Sequence, residues 1–240
     1  MNEFNIINFD KIDSTNTFLK KNYEKYGNLT LCFALSQTNG HGRENRNWFS
    51  NKGESILFSL LIKDKEIIDR FYKLSLLSAK IIRDFLLQYT NNIEIKWPND
   101  VYVNGKKICG ILLESVSTKS GIECLVLGIG ININQKALNK EIEDKATSLY
   151  KETNKIFDLE ILKQNLIHYL STLIAESKTD SKDFLTDIRN NNYLKGKKVR
   201  FIRDNCNKVV TVVDINDDCT LKVFDGSDFI NVFSGEVTLI

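Results

Sequence analysis

Apolar positions fall into short runs along the first half of the chain, and the period of each run predicts an element. Residues 4 to 11 read as a strand running into Asp13-Ser14-Thr15-Asn16, where a hydroxyl or amide side chain can cap the helix that Phe18, Leu19 and Tyr23 continue. Residues 30 to 37 and 55 to 62 are apolar strand candidates. Ile67, Phe71, Leu74, Ser78, Ile81, Phe85 and Tyr89 then recur at three- and four-residue spacing, which predicts one long helix with a single face against a sheet. Strands at 93 to 97, 100 to 103, 107 to 114 and 122 to 133 complete a mixed sheet, with Asn104-Gly105 as a hairpin turn among them.

A polar stretch near 135 to 157 separates this half from a helix at 159 to 175 and a short helical segment near 181 to 190. Asn190-Asn191-Asn192 marks a boundary. Beyond it, runs at 198 to 203, 208 to 215, 221 to 224 and 229 to 240 are short and separated by Asn/Asp/Gly turns, as in a small barrel. The expected fold class is therefore α+β. A domain at 1–192 carries a mixed sheet with flanking helices, and a small β domain occupies 193–240.

Composition changes this picture mainly by exclusion. With 240 residues and 42% hydrophobic content the chain can bury a substantial core. Lys plus Arg total 33 against 31 for Asp plus Glu, so a net charge of +2 gives no electrostatic argument for a nucleic-acid partner. The first residues lack the basic and apolar regions of a signal peptide, and no apolar stretch is long enough to span a bilayer, so a cytoplasmic protein off the membrane is expected. Cys32, Cys109, Cys124, Cys206 and Cys219 show no Cys-x-x-Cys spacing and read as reduced thiols in apolar strands. Of two histidines, His168 lies opposite the apolar stripe of its helix. Only His41 is left for chemistry, which excludes a multi-histidine zinc site, and no metal site is expected.

Candidate chemistry concentrates in three segments. Gly40-His41-Gly42-Arg43-Glu44-Asn45-Arg46-Asn47-Trp48 joins flexible backbone to two permanently charged guanidinium forks and an indole, a combination suited to phosphate and carboxylate oxygens. Lys96-Trp97-Pro98-Asn99-Asp100 holds the only proline, which restricts its own backbone and that of Trp97 and so fixes Asn99 and Asp100. Lys107 opens an otherwise apolar strand; an edge lysine that discourages aggregation is one reading and a carboxylate clamp is the other. Gly128-Ile129-Gly130-Ile131-Asn132 is not a dinucleotide fingerprint, because its glycines sit inside a β-branched run, where they permit close approach of a ligand or neighbour.

In sequence order, Ser14-Thr15-Asn16, Gln37 with the glycine loop, Trp97-Pro98-Asn99-Asp100, Lys107 with Gly110-Ile111-Leu112, and Gly130-Ile131-Asn132 resemble the biotin protein ligases. The family loop reads Gly-Arg-Gly-Arg-x-Gly-Arg-x-Trp, so this chain departs from it at His41 and at Asn45. The resemblance implies a class II synthetase-like biotin/lipoate ligase fold with a small C-terminal SH3-like β-barrel. It implies an ATP-dependent ligase that forms biotinyl-5′-AMP with Mg²⁺-ATP and transfers biotin to a lysine of a biotin carboxyl carrier protein. Ser14, Thr15, Asn16, Gln37, His41, Gly42, Gly110, Ile111 and Leu112 would then bind biotin. Arg43 and Lys107 would be the catalytic cations, shared with the biotin site, and Arg43, Arg46, Trp48, Asn99 and Asn132 would face ATP. A lipoate or octanoate ligase and a non-catalytic, adenylate-responsive or DNA-binding regulator are the alternatives. The Ser14 motif lies too near the start for a preceding winged helix, so no DNA binding is expected, and a homodimer is compatible with the family.

Overall fold

The computed structural model describes residues 3–203, 206–233 and 236–240. A seven-stranded sheet is built from β1 (Asn5–Phe9), β2 (Thr30–Ala34), β3 (Ser55–Ile62), β4 (Ile93–Lys96), β5 (Asp100–Val103), β6 (Lys106–Thr118) and β7 (Gly121–Asn132), in the order β1-β2-β3-β7-β6-β5-β4. Only β1 and β2 pair in parallel, joined by the crossover helix α1 (Thr15–Asn22); the other pairs are antiparallel. The Asn104-Gly105 turn between β5 and β6 puts both residues in the left-handed region, at φ 49 and φ 78, as its sequence requires.

The two faces of this sheet have different cover, and that difference creates the site. On one face Phe58, Leu60, Ile62, Ile111, Leu125, Leu127 and Ile129 pack beneath α3 (Leu74–Leu86) and α5 (Leu159–Ser177) in one buried apolar cluster. On the opposite face a smaller cluster of Leu19, Cys32, Leu61, Cys124 and Val126 anchors α1. The residues that continue that second face toward the other end of the strands are Ser59, Gly128, Leu112, Gly130 and Gly110, aligned by the register pairs Ser59↔Gly128, Leu112↔Gly128 and Gly110↔Gly130. Hydrophobic burial thus covers one side fully, and glycines leave a shallow floor on the other.

The long helix expected from Ile67 to Tyr89 is divided. A short α2 (Lys65–Ile68), capped by Asp64, is followed by a 3₁₀ turn before α3 begins, and Phe71 is 45% exposed. Lys73, buried at the break, donates its ammonium to the Glu176 and Thr179 carbonyls at the end of α5, an interaction that a continuous apolar stripe does not foresee. The polar stretch near 135 to 157 contains α4 (Leu149–Thr153), capped by Ser148. Lys107 pairs with Tyr102 of β5 on one side and bridges Ala146 on the other, so it is not an edge lysine.

After α6 (Phe184–Asn190), β8 (Lys198–Arg203), β9 (Cys206–Ile215), β10 (Leu221–Phe224), β11 (Phe229–Val232) and β12 (Glu236–Leu239) form an antiparallel sheet in the order β11-β10-β9-β8-β12. The final run, read as one strand, is two. Cys32, Cys109, Cys124 and Cys219 are buried free thiols, and burial pushes the Cys32 thiol up to about 12. The side chain of Cys206 lies outside the described residues. His168 is exposed. Among the described residues no helix is long and apolar enough to cross a membrane.

Candidate active site

The first turn of α1 stands over the glycine floor. Ser14 caps the helix by accepting from the Thr17 amide at 3.4 Å. The Thr15 amide donates to Gln37 Oε1 at 2.7 Å, which ties the start of α1 to the segment after β2. Asn16 Nδ2 donates to Glu114 Oε2 at 2.9 Å and lies 3.5 Å from the Leu112 carbonyl, while its Oδ1 accepts from Ser59 Oγ. A side chain at Gly128 would collide with Asn16, so glycine there is required by close approach. Lys20 reaches the other oxygen of Glu114 at 2.6 Å. Burial pushes the Glu114 carboxyl up, but hydrogen bonds from Lys20 and Asn16 outweigh it and hold the group below the usual glutamate range.

A second cluster surrounds the glycine loop. Trp48 lies on the paired Gly110 and Gly130: a Cβ on Gly130 would stand 2.6 Å from the indole and one on Gly110 2.8 Å. The Trp48 Nε1 is buried without a hydrogen-bond partner among the described residues. Lys107 Nζ sits 5.7 Å from the ring centroid of Trp48 and 2.7 Å from Asp100 Oδ1. Trp97–Pro98 is a cis peptide within the turn from β4 to β5. That turn presents Asn99, whose Nδ2 donates to the Ile111 carbonyl and whose Oδ1 accepts from Arg43 Nη1 at 3.4 Å.

Gly40 and Gly42 are not in the left-handed region; the residue of the loop that is there is Glu44, at φ 56. At Gly40 a Cβ would crowd Gln37 Nε2 at 3.1 Å, whereas nothing approaches within 3.8 Å at Gly42. His41 Nδ1 lies 3.1 Å from the Asn39 carbonyl, and Arg46 pairs with Glu44 at 2.8 Å where both are exposed. Asn132 is buried, its Nδ2 donating to the Thr147 carbonyl at 3.0 Å and its Oδ1 accepting from Gln135 at 3.1 Å.

The structure therefore gathers Thr15, Asn16 and Gln37 in one place, and Arg43, Trp48, Asn99, Lys107, Gly110 and Ile111 in another along the same floor. Arg46 points to an exposed partner, and the amide of Asn132 is committed within the chain. Sequence reasoning passed over Ser59, Lys20 and Glu114. Their signal was present as polar interruptions of apolar runs: Ser59 within Ser55–Ile62, fully buried, and Glu114 directly after Ile111-Leu112-Leu113.

Comparison with known proteins gives this geometry a context. The chain is 36% identical over 132 residues to the bifunctional ligase/repressor BirA of Bacillus spizizenii, a match covering 54% of this chain and 41% of that protein. It is 27% identical over 213 residues to the biotin--[acetyl-CoA-carboxylase] ligase of Mycobacterium tuberculosis, covering 86% of this chain and 77% of the relative. Among solved structures, a biotin protein ligase from Aquifex aeolicus in complex with biotin and ATP superposes with a TM-score of 0.82 at 28% identity, covering 98% of each chain. Residues 8–132, just over half of the chain, match the model of the biotin/lipoate A/B protein ligase family, and these residues hold the whole glycine floor and both clusters over it. The chain belongs to the biotin/lipoate A/B protein ligase family.

Proposed function

We propose that this protein is an ATP-dependent ligase that activates biotin as biotinyl-5′-AMP and transfers the acyl group to a lysine of a biotin carboxyl carrier protein. The observation that carries the proposal is the likeness, over nearly the full length of both chains, to the Aquifex ligase described with biotin and ATP. In the first step a biotin carboxylate oxygen attacks the α-phosphorus of ATP and pyrophosphate leaves. In the second a neutral lysine amine attacks the mixed anhydride, AMP leaves, and the amine loses a proton. A carboxylate is a poor electrophile, so the chain's task is positioning and offsetting charge.

Lys107 and Arg43 are the cations for the carboxylate and α-phosphate. To act there, Lys107 exchanges Asp100 for the incoming acid, a swap of one anion for another at the same amine. The biotin side takes Ser14, Thr15, Asn16, Gln37, His41, Gly42 and the Gly110–Leu112 backbone. The ATP side takes Arg46, Trp48, Asn99 and Asn132 with Arg43, and Mg²⁺ arrives on the ATP phosphates. Because the Trp48 indole covers Gly110, binding along that backbone requires the indole to move. The same reading divides the chain into a catalytic domain at 1–192 and an SH3-like domain at 193–240.

The test is transfer itself. Incubated with Mg²⁺-ATP, biotin and a carrier domain, the protein should add one biotinyl group to a single carrier lysine, read by intact mass. A carrier that gains a lipoyl or octanoyl group from the corresponding acid, and none from biotin, would replace biotin as the substrate.

A further inference from the structure

Behind the first turn of α1 runs a row of hydrogen bonds whose direction is set at one end by a charge. Lys20 donates to Glu114, and Asn16 Nδ2 donates to the remaining Glu114 oxygen at 2.9 Å. An ionised carboxylate only accepts, so the Asn16 amide must turn its nitrogen to Glu114 and its oxygen to Ser59. That amide oxygen also only accepts. The single hydroxyl hydrogen of Ser59 is therefore spent on Asn16 and is not available to Thr15 Oγ1, 2.7 Å away, so the Thr15 hydrogen goes to Ser59 Oγ or to Gln37 Oε1 at 3.2 Å. Gln37 Oε1, which has two lone pairs, also accepts from the Thr15 amide at 2.7 Å. With either acceptor, Thr15 keeps lone pairs to offer and has no hydrogen left.

We infer that Glu114, oriented by Lys20 and acting through Asn16 and Ser59, is a positioning residue that makes Thr15 an obligate acceptor and selects acids whose head group carries N–H donors. This rests on the reading of Thr15 and Asn16 as acid-head contacts. A cyclic urea supplies two N–H groups; a dithiolane or a plain alkyl chain supplies none and leaves the Thr15 oxygen unpaired as it is desolvated. The Ser59 and Thr15 side chains are almost wholly buried, so water does not readily substitute for the missing donor. Replacing Glu114 by glutamine, which both donates and accepts, lets Asn16 turn over and releases the polarity of the row.

The experiment is calorimetric titration of biotin, of a biotin analogue methylated on both ureido nitrogens, of lipoate and of ATP into wild type, Glu114→Gln and Ser59→Ala, with thermal midpoints measured alongside. The expected result is that wild type binds biotin and discriminates against the methylated analogue and lipoate. Each variant should then weaken biotin about tenfold or more and narrow that discrimination, with ATP affinity held. Ser59→Ala removes one hydroxyl and keeps the Glu114–Lys20 pair, so it carries the test if Glu114→Gln fails to fold. Variants that bind biotin as wild type does overturn the inference, as do variants whose biotin and ATP affinities fall together with the midpoint. Wild type that fails to bind biotin removes the functional reading itself, an outcome distinct from either.

Discussion

At the scale of single residues, two contacts make sharp claims. Lys107 and Asp100 form a partly buried pair, with side chains 31% and 17% exposed. Lys107→Ala leaves the carboxylate without that cation, so it should cost on the order of 1 kcal/mol of stability and, separately, lower acid-dependent adenylation about 10²-fold. Comparison at equal folded fraction separates the two; an unchanged adenylation rate would remove Lys107 from the chemistry. Gly130→Ala puts a methyl 2.6 Å from the Trp48 ring, so the indole must leave the floor at a cost of about 1–3 kcal/mol. The chain has two tryptophans and Trp97 is buried with its indole N–H on the Cys219 carbonyl, so a red-shifted emission would report Trp48. Emission identical to wild type would show that Trp48 does not rest where the geometry puts it.

At the scale of elements, the cap of α5 separates stability from function. Asp158 accepts from the Glu160 and Ile161 amides at 2.8 and 3.3 Å and starts α5, on the face away from the glycine floor. Asp158→Ala should cost about 1 kcal/mol by chemical denaturation and leave adenylation per folded molecule as it was. α1 is held differently, by the Lys20–Glu114 link to β6. Because the folded Glu114 is held below the ordinary glutamate value of about 4.3, its contribution is complete above that value and is lost as pH falls through the folded one. Glu114→Gln should flatten that part of the acid limb of stability, and a superimposable limb would contradict the assignment.

Much of this architecture was legible from apolar runs, turn residues and caps. β3 follows from a continuous apolar run, the Asn104-Gly105 turn from turn chemistry and the cap of α1 from its hydroxyl and amide residues. The break before α3 was not, because Ile67 and Phe71 keep helical spacing although only Ile67 is buried. α4 was hidden because a five-residue helix offers too few turns for a stripe. In the site, motifs marked the residues facing the floor, whereas the row behind them joins residues 43 to 98 positions apart and has no local signature.

At the scale of the whole molecule, the two sheets share contacts that a boundary near residue 192 does not suggest. Trp97 Nε1 donates to the Cys219 carbonyl at 3.0 Å, and Arg189 donates to the Ile215 carbonyl and to Asp217, both at 2.7 Å. Ile95 and Trp97 belong to the same buried cluster as Val199, Val212 and Leu221. The chain should therefore unfold in one calorimetric transition, and Arg189→Ala should lower stability by about 1–2 kcal/mol without splitting it. Two resolved transitions in the wild type would contradict this. The central claim is the formation of an acyl-adenylate from biotin, and pyrophosphate exchange reads it without a carrier protein. With labelled pyrophosphate, Mg²⁺-ATP and biotin, lipoate or octanoate in parallel, label should enter ATP only when biotin is present; exchange driven by lipoate or octanoate and not by biotin would contradict the account.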